Sequence, residues 1–277
     1  MAHNTLIGGT EYEISGGKTR VSGTNYKIKN GKTKVDGANY AISFGLGAFA
    51  ECSWEQIIAA CQSKNIPSSW KVGDVKPMTI GGKSYDVRII GMNHDDYADG
   101  SGKAPLTLQV DSAYYGDTKY KMNNGASLSK DVNWDNCALR TELLPAYQKT
   151  MPSSVNNAIR EVTKLSYKSI YETTVSTSDK LFYLSAYEIF SDAEISDTTY
   201  IGKSVADGTE YEYYASNGAN ARFKYGTSTN GSPVKTPWVT RSKRFNSSVT
   251  FVCVGTNGDA SSAAASAEYY HFPAFCF

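Results

Sequence analysis

The sequence is poor in the residues from which short enzyme signatures are built. It has three histidines, His3, His94 and His271, and five cysteines, Cys52, Cys61, Cys137, Cys253 and Cys276. No two cysteines are spaced CxxC, so a zinc site is not expected, and an odd, scattered set does not read as a disulfide framework. Buried reduced thiols are the expectation, with a Cys253–Cys276 meeting across strands left open. HExxH, GxSxG, a Walker loop and GxGxxG are all missing, which disfavours most enzyme classes with short motifs. No stretch approaches the roughly 18 apolar residues of a membrane-spanning helix. The start, Met1 to Gly9, has neither the basic nor the apolar region of a secretory signal, so synthesis in a cytoplasm without a cleaved leader is expected. A surplus of charge is lacking too. Across 277 residues, 28 Lys+Arg stand against 27 Asp+Glu, and the sequence pI is near 7.5. A nucleic-acid binder would usually show a basic excess, so nucleic acid is not an expected partner.

Aliphatic residues are sparse, but there are 20 Tyr and 24 Gly. Tyr with Gly, Ser, Thr and Asn is the composition of turn-rich β structure and of binding surfaces, where tyrosine supplies a stiff contact area with a polar tip. The length leaves room for one large domain or two ordinary ones.

The first 44 residues are a repeat. Gly9-Thr10-Glu11-Tyr12-Glu13-Ile14 matches Gly23-Thr24-Asn25-Tyr26-Lys27-Ile28 and Gly37-Ala38-Asn39-Tyr40-Ala41-Ile42, spaced 14 apart, and Gly17-Lys18-Thr19-Arg20-Val21 matches Gly31-Lys32-Thr33-Lys34-Val35. Each unit holds two alternating segments, Tyr-x-Ile and Thr-x-Val, separated by glycine-containing turns, and alternation marks strands with one buried face. Strands this short must stack on one another or on copies from other chains, as a trimeric β-prism or a small β-meander. An oligomerising or docking element and a sheet packed within the chain are both open. The lysines and Arg20 read as a solvated face that blunts the strand edges.

Residues 45–69 read as a Gly-rich hinge and a short helix. Ser53 with Gln56 three residues on is a capping box, and Trp54, Ile57, Ile58 and Cys61 keep helical spacing over 53–64. From Trp70 to the end the pattern is that of an α+β domain, with helices early and mostly strands late. Met78 to Ile80, Gly81-Gly82 and Tyr85 to Ile90 predict a hairpin, and Leu106 to Val110 a strand. Trp134 to Leu144 predicts a second helix with Asp135 as N-cap and Pro145 as its end. Pro152 to Ala158 predicts a third helix, and Ile159 to Leu165 and Lys180 to Leu184 predict strands.

In the last segment, Asn257-Gly258 is a strong hairpin signal, and Phe272 to Phe277 reads as a closing strand packed into the core. Asp259 to Tyr270, between them, builds neither a helix face nor a strand face and suits a surface that tolerates many side chains. Asn93 to Gly100 has the spacing of a calcium loop, with Asn93, Asp95 and Asp99 as candidate ligands. The expected glutamate six residues beyond the glycine is Leu106, so a hydrogen-bonded Asx-rich turn is the better reading and calcium the lesser one. His94 reads as a structural hydrogen-bond partner.

The ordered motifs Trp70-Lys71-Val72-Gly73-Asp74, Gly91 to Asp96, Asp99 to Ala104, Leu139-Arg140-Thr141-x-Leu143, Asp179 to Ser185, Gly208-Thr209-x-Tyr211-x-Tyr213-Tyr214 and Pro273 to Cys276 resemble an uncharacterised domain family of gut bacteria and their phages, over about 53–277. That family is similar to C-type-lectin-fold proteins, including the variable proteins diversified by retroelements, such as the phage major tropism determinant. The N-terminal repeat resembles those of phage tail and fibre proteins. The family's Trp-Trp-Leu-Arg-Ser-Pro motif is here Pro237-Trp238-Val239-Thr240-Arg241-Ser242-Lys243.

The resemblance implies a C-type-lectin-like domain over 70–277 behind a β-repeat stem, in a homotrimeric receptor-binding protein at a phage tail tip. Its partners would be other tail proteins and a host surface protein or glycan, and it would not be an enzyme. Formylglycine-generating enzymes share the fold but rely on cysteine and metal, and no matching cysteine pair stands near the C-terminal core. The implied ligand-facing residues are Thr240, Lys243, Arg244, Phe245, Asn246, Ser248, Thr250, Asn257, Asp259, Ser261, Ser262, Tyr269 and Tyr270, against the alternative that they merely decorate an exposed hairpin. A structural virion or baseplate protein and a bacterial lectin-like adhesin are the competing implications.

Overall fold

The computed structural model describes residues 3–7, 10–14, 18–21, 24–27, 31–35, 38–42, 46–113, 117–123, 131–168, 173–196, 206–228, 230 and 232–277. The chain divides into two compact units, Met1–Gly47 and Ala48–Phe277, so the short helix expected beside the hinge belongs to the second unit. Among the described residues no helix is long and apolar enough to cross a membrane.

The first unit is three antiparallel hairpins. They are β1 (His3–Ile7) with β2 (Thr10–Ile14), β3 (Lys18–Val21) with β4 (Thr24–Lys27), and β5 (Gly31–Val35) with β6 (Ala38–Ile42). The register repeats with the sequence: Thr5 pairs with Tyr12, Thr19 with Tyr26 and Thr33 with Tyr40. Thr5-Leu6-Ile7 is therefore the first copy of the Thr-x-Val segment, which the looser Ile7 hides in the sequence. Each hairpin is its own two-stranded sheet, so the described residues do not form a continuous meander. The turn glycines 9, 17, 23 and 37, Ile28, residues 43–44 and residue 45 of the expected hinge lie outside the described residues. Two-stranded hairpins are marginal alone in water, which leaves these in need of a partner surface.

The second unit opens with a helical turn at Phe49–Glu51 and α1 (Trp54–Gln62). The predicted capping box is present: the Gln56 amide donates to Ser53 Oγ at 3.2 Å, and the Ser53 amide to Gln56 Oε1 at 2.8 Å. Ile57, Ile58 and Cys61 are the buried stripe. Phe49 stacks edge-on against Trp70 and Trp54, and Trp54 in turn against Phe277. The beginning and the end of this unit thus meet in one aromatic cluster.

Its main sheet is antiparallel, in the order β12-β18-β9-β8-β7. Strands β7 (Val75–Ile80) and β8 (Lys83–Met92) form the predicted hairpin. Gly81 and Gly82 both have positive φ, the conformation a two-residue hairpin turn of this hand requires. Strand β9 (Leu106–Val110) is buried throughout. Helical structure then runs through a 3-10 turn at Trp134–Asn136, a π-helical turn at Leu139–Leu143 and α2 (Leu144–Gln148). Two expectations fail here. Asn133, not Asp135, precedes the first turn, its amide bonded to Asn136 Oδ1 at 2.8 Å. Pro145 starts α2 instead of ending the helix, because a proline in the first turn has no hydrogen bond to lose.

Helix α3 (Ser153–Ala158) is as predicted; β10 (Val162–Lys168) pairs with β11 (Thr173–Asp179), a Thr/Ser strand the sequence left unassigned; and β12 (Leu181–Phe182) follows. Three short helices, α4 (Asp192–Ser196), α5 (Glu212–Asn217) and α6 (Ala219–Arg222), interrupt the expected run of late strands. A hairpin of β13 (Lys224–Thr227) and β14 (Pro233–Thr236) leads to a three-stranded sheet of β15 (Trp238–Lys243), β16 (Thr250–Val254) and β17 (Ala260–Ala264). Strand β17, on the edge, lies within the stretch expected to be irregular; its Ala/Ser composition hides the alternation. Strand β18 (Ala274–Cys276) closes the chain, buried between β12 and β9. The α+β class stands. All five cysteines are buried and free: Cys253 sits on β16 and Cys276 on β18, in different sheets.

Replacing Ser53 with Ala removes one side of the α1 capping box and should lower stability by about 1 kcal/mol. Urea unfolding of the two proteins measures this; equal midpoints would show that the box is not holding the helix start.

Candidate functional site

The stretch that carries the candidate surface is fixed by a chain of buried charges. Arg241, on β15, is fully buried. Its fork grips Glu188, Nη1 to Oε2 at 2.5 Å and Nη2 to Oε1 at 2.9 Å. The other donors reach main-chain oxygens of Leu165, Tyr183 and Asp207 at 3.0, 2.8 and 2.8 Å, so all five guanidinium N–H groups are used. Lys164 spends its three donors on Glu188 Oε1 at 3.0 Å, on Tyr211 Oη at 2.9 Å and on Asp95. The Tyr211 hydroxyl donates onward to Asp95, and Thr107 Oγ1 donates to Asp95 at 2.5 Å. Two cations and two carboxylates thus cancel in the buried interior, each with its hydrogen bonds filled, the condition under which buried ion pairs are tolerated.

Burial alone would raise the Asp95 carboxyl, but Lys164 and Thr107 bring it down to about 2. Burial likewise opposes ionised Glu188, and Arg241 and Lys164 outweigh it. At Asp207, which receives the Ser242 hydroxyl at 2.7 Å, burial prevails and raises the carboxyl.

Glu188 is positioned locally by a turn the sequence reading passed over. In Ser185-Ala186-Tyr187-Glu188 the carboxylate accepts the Ser185 amide at 2.9 Å while Ser185 Oγ accepts the Glu188 amide at 3.1 Å. This is a capping box, and its Ser-x-x-Glu spacing was the available signal. Gly208 packs so close that a Cβ there would stand 2.6 Å from Glu188 Cγ and 2.7 Å from Ser185 Oγ.

Other motif residues meet in the same manner. Arg140 and Trp134 both bind Asp179, at 2.5 and 2.9 Å. Lys224 and Tyr214 both reach Gln109 Oε1, at 2.9 and 2.7 Å, and Lys224 and Arg88 share Asp111. Trp238 Nε1 donates to the Arg222 carbonyl at 2.9 Å. The Trp238–Ser242 motif forms a bulged strand.

The Asn93 to Gly100 segment is a turn built on its own oxygens. Asp95 points inward to Lys164, and Asp99 accepts the Ser101 amide at 2.9 Å and pairs with Arg160 at 2.5 Å. Asn93 takes the left-handed conformation. Asp95 and Asp99 thus face different cations, and Asp99 closes an Asx turn on Ser101. No group of three or more His, Cys, Asp or Glu suited to a metal occurs among the described residues. His94 stacks on Tyr211 with ring centroids 3.9 Å apart.

The thirteen candidate ligand-facing residues divide. Thr240 and Lys243 are fully buried, so these two are corrected from ligand-facing to core. Thr240 Oγ1 donates to the Val252 carbonyl at 2.9 Å, and Lys243 Nζ lies 4.9 Å above the Phe251 ring. Every residue of β15 is buried, covered on both faces, so alternation there does not mark an outer side. Arg244, Phe245, Ser248, Thr250, Ser261, Ser262, Tyr269 and Tyr270 are half-buried, and Asn246, Asn257 and Asp259 exposed.

The sheet register sets how they lie. Thr250 pairs with Ala264 and Val254 with Ala260. Residues 244–250 therefore flank one end of the β16–β17 pair and the Asn257-Gly258 turn the other, roughly 15 Å apart at strand rise. Ser261 and Ser262 lie along the edge between. Tyr269 is held by reciprocal backbone bonds to Tyr120, at 2.8 and 3.0 Å, and Lys119 sits over the Tyr270 ring at 4.7 Å. The next residue, His271, is buried, and burial lowers it to about 3.

Residues 109–277 match a family described as a domain of unknown function, DUF6273. No curated protein and no solved structure matches the chain.

Glu188→Gln keeps the shape and removes the charge between Lys164 and Arg241, and should cost about 3–5 kcal/mol in chemical unfolding; a loss below about 1 kcal/mol would mean the pair is not a clamp. Acid should destabilise the fold in two steps. His271 is depressed, so the unfolded chain binds its proton first, and stability falls as pH drops from the ordinary histidine value near 6.5 toward 3. The contributions of Asp95 and of Glu194, which Arg222 holds at about 2, vanish only between about pH 4 and 2. His271→Asn should remove about 2 kcal/mol of the stability difference between pH 7 and pH 5. An unchanged pH slope in that variant would show that His271 titrates freely.

Proposed function

The chain belongs to the DUF6273 family, and from its C-terminal surface we propose that it is a receptor-binding protein of a phage tail tip, recognising a host surface protein or glycan. One observation carries this reading. The charged residues Arg241, Glu188, Lys164 and Asp95 are buried, while exposed and half-buried Ser, Thr, Asn and Tyr side chains lie on the 244–250 connection, the 255–259 turn, the edge strand β17 and the 269–270 segment. A rigid frame with substitutable positions on its rim is the construction a recognition surface needs, since small polar residues and tyrosine adapt to many ligands without disturbing the core.

The finer fold reading, a C-type-lectin-like domain, is part of the proposal. It is supported by the closing strand that returns to the interior of the main sheet and by the three-stranded sheet that directly precedes it. The N-terminal hairpins act as the stem, trimerising the chain and docking it on other tail proteins. A trimer would present three copies of a weak site together and raise its avidity.

The test is a chimera in which residues 244–270 are replaced by those of another family member while Trp238–Lys243 is kept. Binding of the full-length proteins to a panel of bacterial cells should change partners with the exchanged segment. Unchanged cell specificity would overturn the reading in favour of a structural virion role. Light scattering on the full chain should give about three times 30.1 kDa; a monomer would remove the stem from the account.

A further inference from the structure

Three lysines are buried among the described residues, Lys164, Lys224 and Lys243. The first two are satisfied by hydrogen bonds, Lys164 to Asp95, Glu188 and Tyr211, and Lys224 to Gln109 and Asp111. Lys243 differs. Its Nζ is enclosed and makes no hydrogen bond among the described residues. It lies 4.9 Å above the Phe251 ring and 3.8 Å from Asp131 Oδ1, beyond hydrogen-bond reach. That oxygen is also enclosed and without a hydrogen bond. An amine and a carboxyl group thus face each other at close range. Neither has the hydrogen bonds that make a buried ion pair tolerable.

The carboxyl group is held in place. The Val132 amide donates to the Ser248 carbonyl at 3.2 Å, and Asn136 Nδ2 donates to the Asp131 carbonyl at 3.0 Å. The second carboxyl oxygen, Oδ2, accepts Asn133 Nδ2 at 2.7 Å. The two oxygens are therefore unlike: Oδ1 faces the lysine, and Oδ2 carries an amide donor. Burial lowers the Lys243 ammonium to about 8, so a neutral amine forms readily near neutral pH. All five cysteines are free, so no disulfide braces this part of the chain.

We infer that Lys243 and Asp131 condense to an amide, an isopeptide cross-link that ties β15 to the segment before the Trp134–Asn136 turn. The ammonium first passes one proton to Asp131 Oδ1, giving a neutral amine and a neutral acid, which burial favours over two unpartnered ions. The amine lone pair then attacks Asp131 Cγ. As the N–C bond forms, negative charge collects on Oδ2, where the Asn133 N–H group stabilises it. The nitrogen gives a second proton to Oδ1, the Cγ–Oδ1 bond breaks, and Oδ1 leaves as water. Nothing is oxidised or reduced. The link would pin the 131–133 segment to the strand that leads into the 244–250 connection, and it does not depend on the receptor reading.

Mass spectrometry of the denatured, reduced full chain, with peptide mapping, tests this. The wild-type chain should weigh one water less than its sequence, and digestion should release a branched peptide joining Lys243 to Asp131. Lys243→Met and Asp131→Ala should each have the full mass and no branched peptide. Asn133→Ala, which keeps both reacting groups and removes the donor to Oδ2, should lower the cross-linked fraction of freshly made protein; an unchanged fraction would overturn the part given to Asn133. The wild-type measurement decides the main claim without any variant having to fold. A wild-type chain at full mass, a water loss that maps to other residues, or a loss of ammonia that links Lys243 to Asn133 would overturn the assignment.

Discussion

The fold of the second unit depends on one buried bidentate pair, Arg241 with Glu188. A guanidinium has five donors in a rigid plane, and in the interior each must find an acceptor. Here Glu188 takes two, and the backbones of β10, of the 183–185 segment and of the Asp207 turn take the rest. One side chain on β15 therefore fixes three other parts of the chain. Through Glu188 and Lys164 the constraint extends to Asp95, and so to the Asx turn before β9. Such a core gains little stability over an apolar one. It specifies a single arrangement, because any slip strands a charge.

That frame explains why the surface is so plain. Once Arg241, Glu188, Lys164 and Asp95 hold the strands, β16 and β17 need only small residues to pair, and Ala260–Ala264 can be alanine and serine without loss of order. The tyrosines divide the same way. Tyr211, Tyr214 and Tyr183 are buried hydrogen-bonding members of the frame, whereas Tyr269 and Tyr270 stand half-exposed beside the candidate surface. Tyr12, Tyr26 and Tyr40 mark the register of the hairpin repeat.

Local features were legible in the sequence. The Ser53–Gln56 box, the Gly81-Gly82 hairpin, the Asn257-Gly258 turn, the closing strand and the 14-residue repeat each depend on residues a few positions apart. The ion chain was not legible, because Arg241 and Glu188 lie 53 residues apart and Lys164 and Asp95 69; the motifs marked Arg241 and Asp95 but neither Glu188 nor Lys164. Thr240 and Lys243 were misplaced because the resemblance put them among the ligand-facing positions, whereas β15 is covered on both faces and has no outer side to carry them. Pro145 misled because proline ends a helix only beyond its first turn, and the π-helical turn before it cannot be seen in the residue pattern. His271 was legible only as one of three histidines; its buried partner is the Tyr183 hydroxyl, 88 residues earlier.

The central claim is that a frame frozen by buried charge carries a surface free to vary. Amide hydrogen exchange measured residue by residue on the full chain addresses it directly. The account predicts that amides of β15, β18 and the Leu184–Glu188 turn exchange only through global unfolding, while those of 244–249, 255–259 and 266–268 exchange by local opening at far lower free energy. Exchange in β15 as fast as in those turns would contradict it.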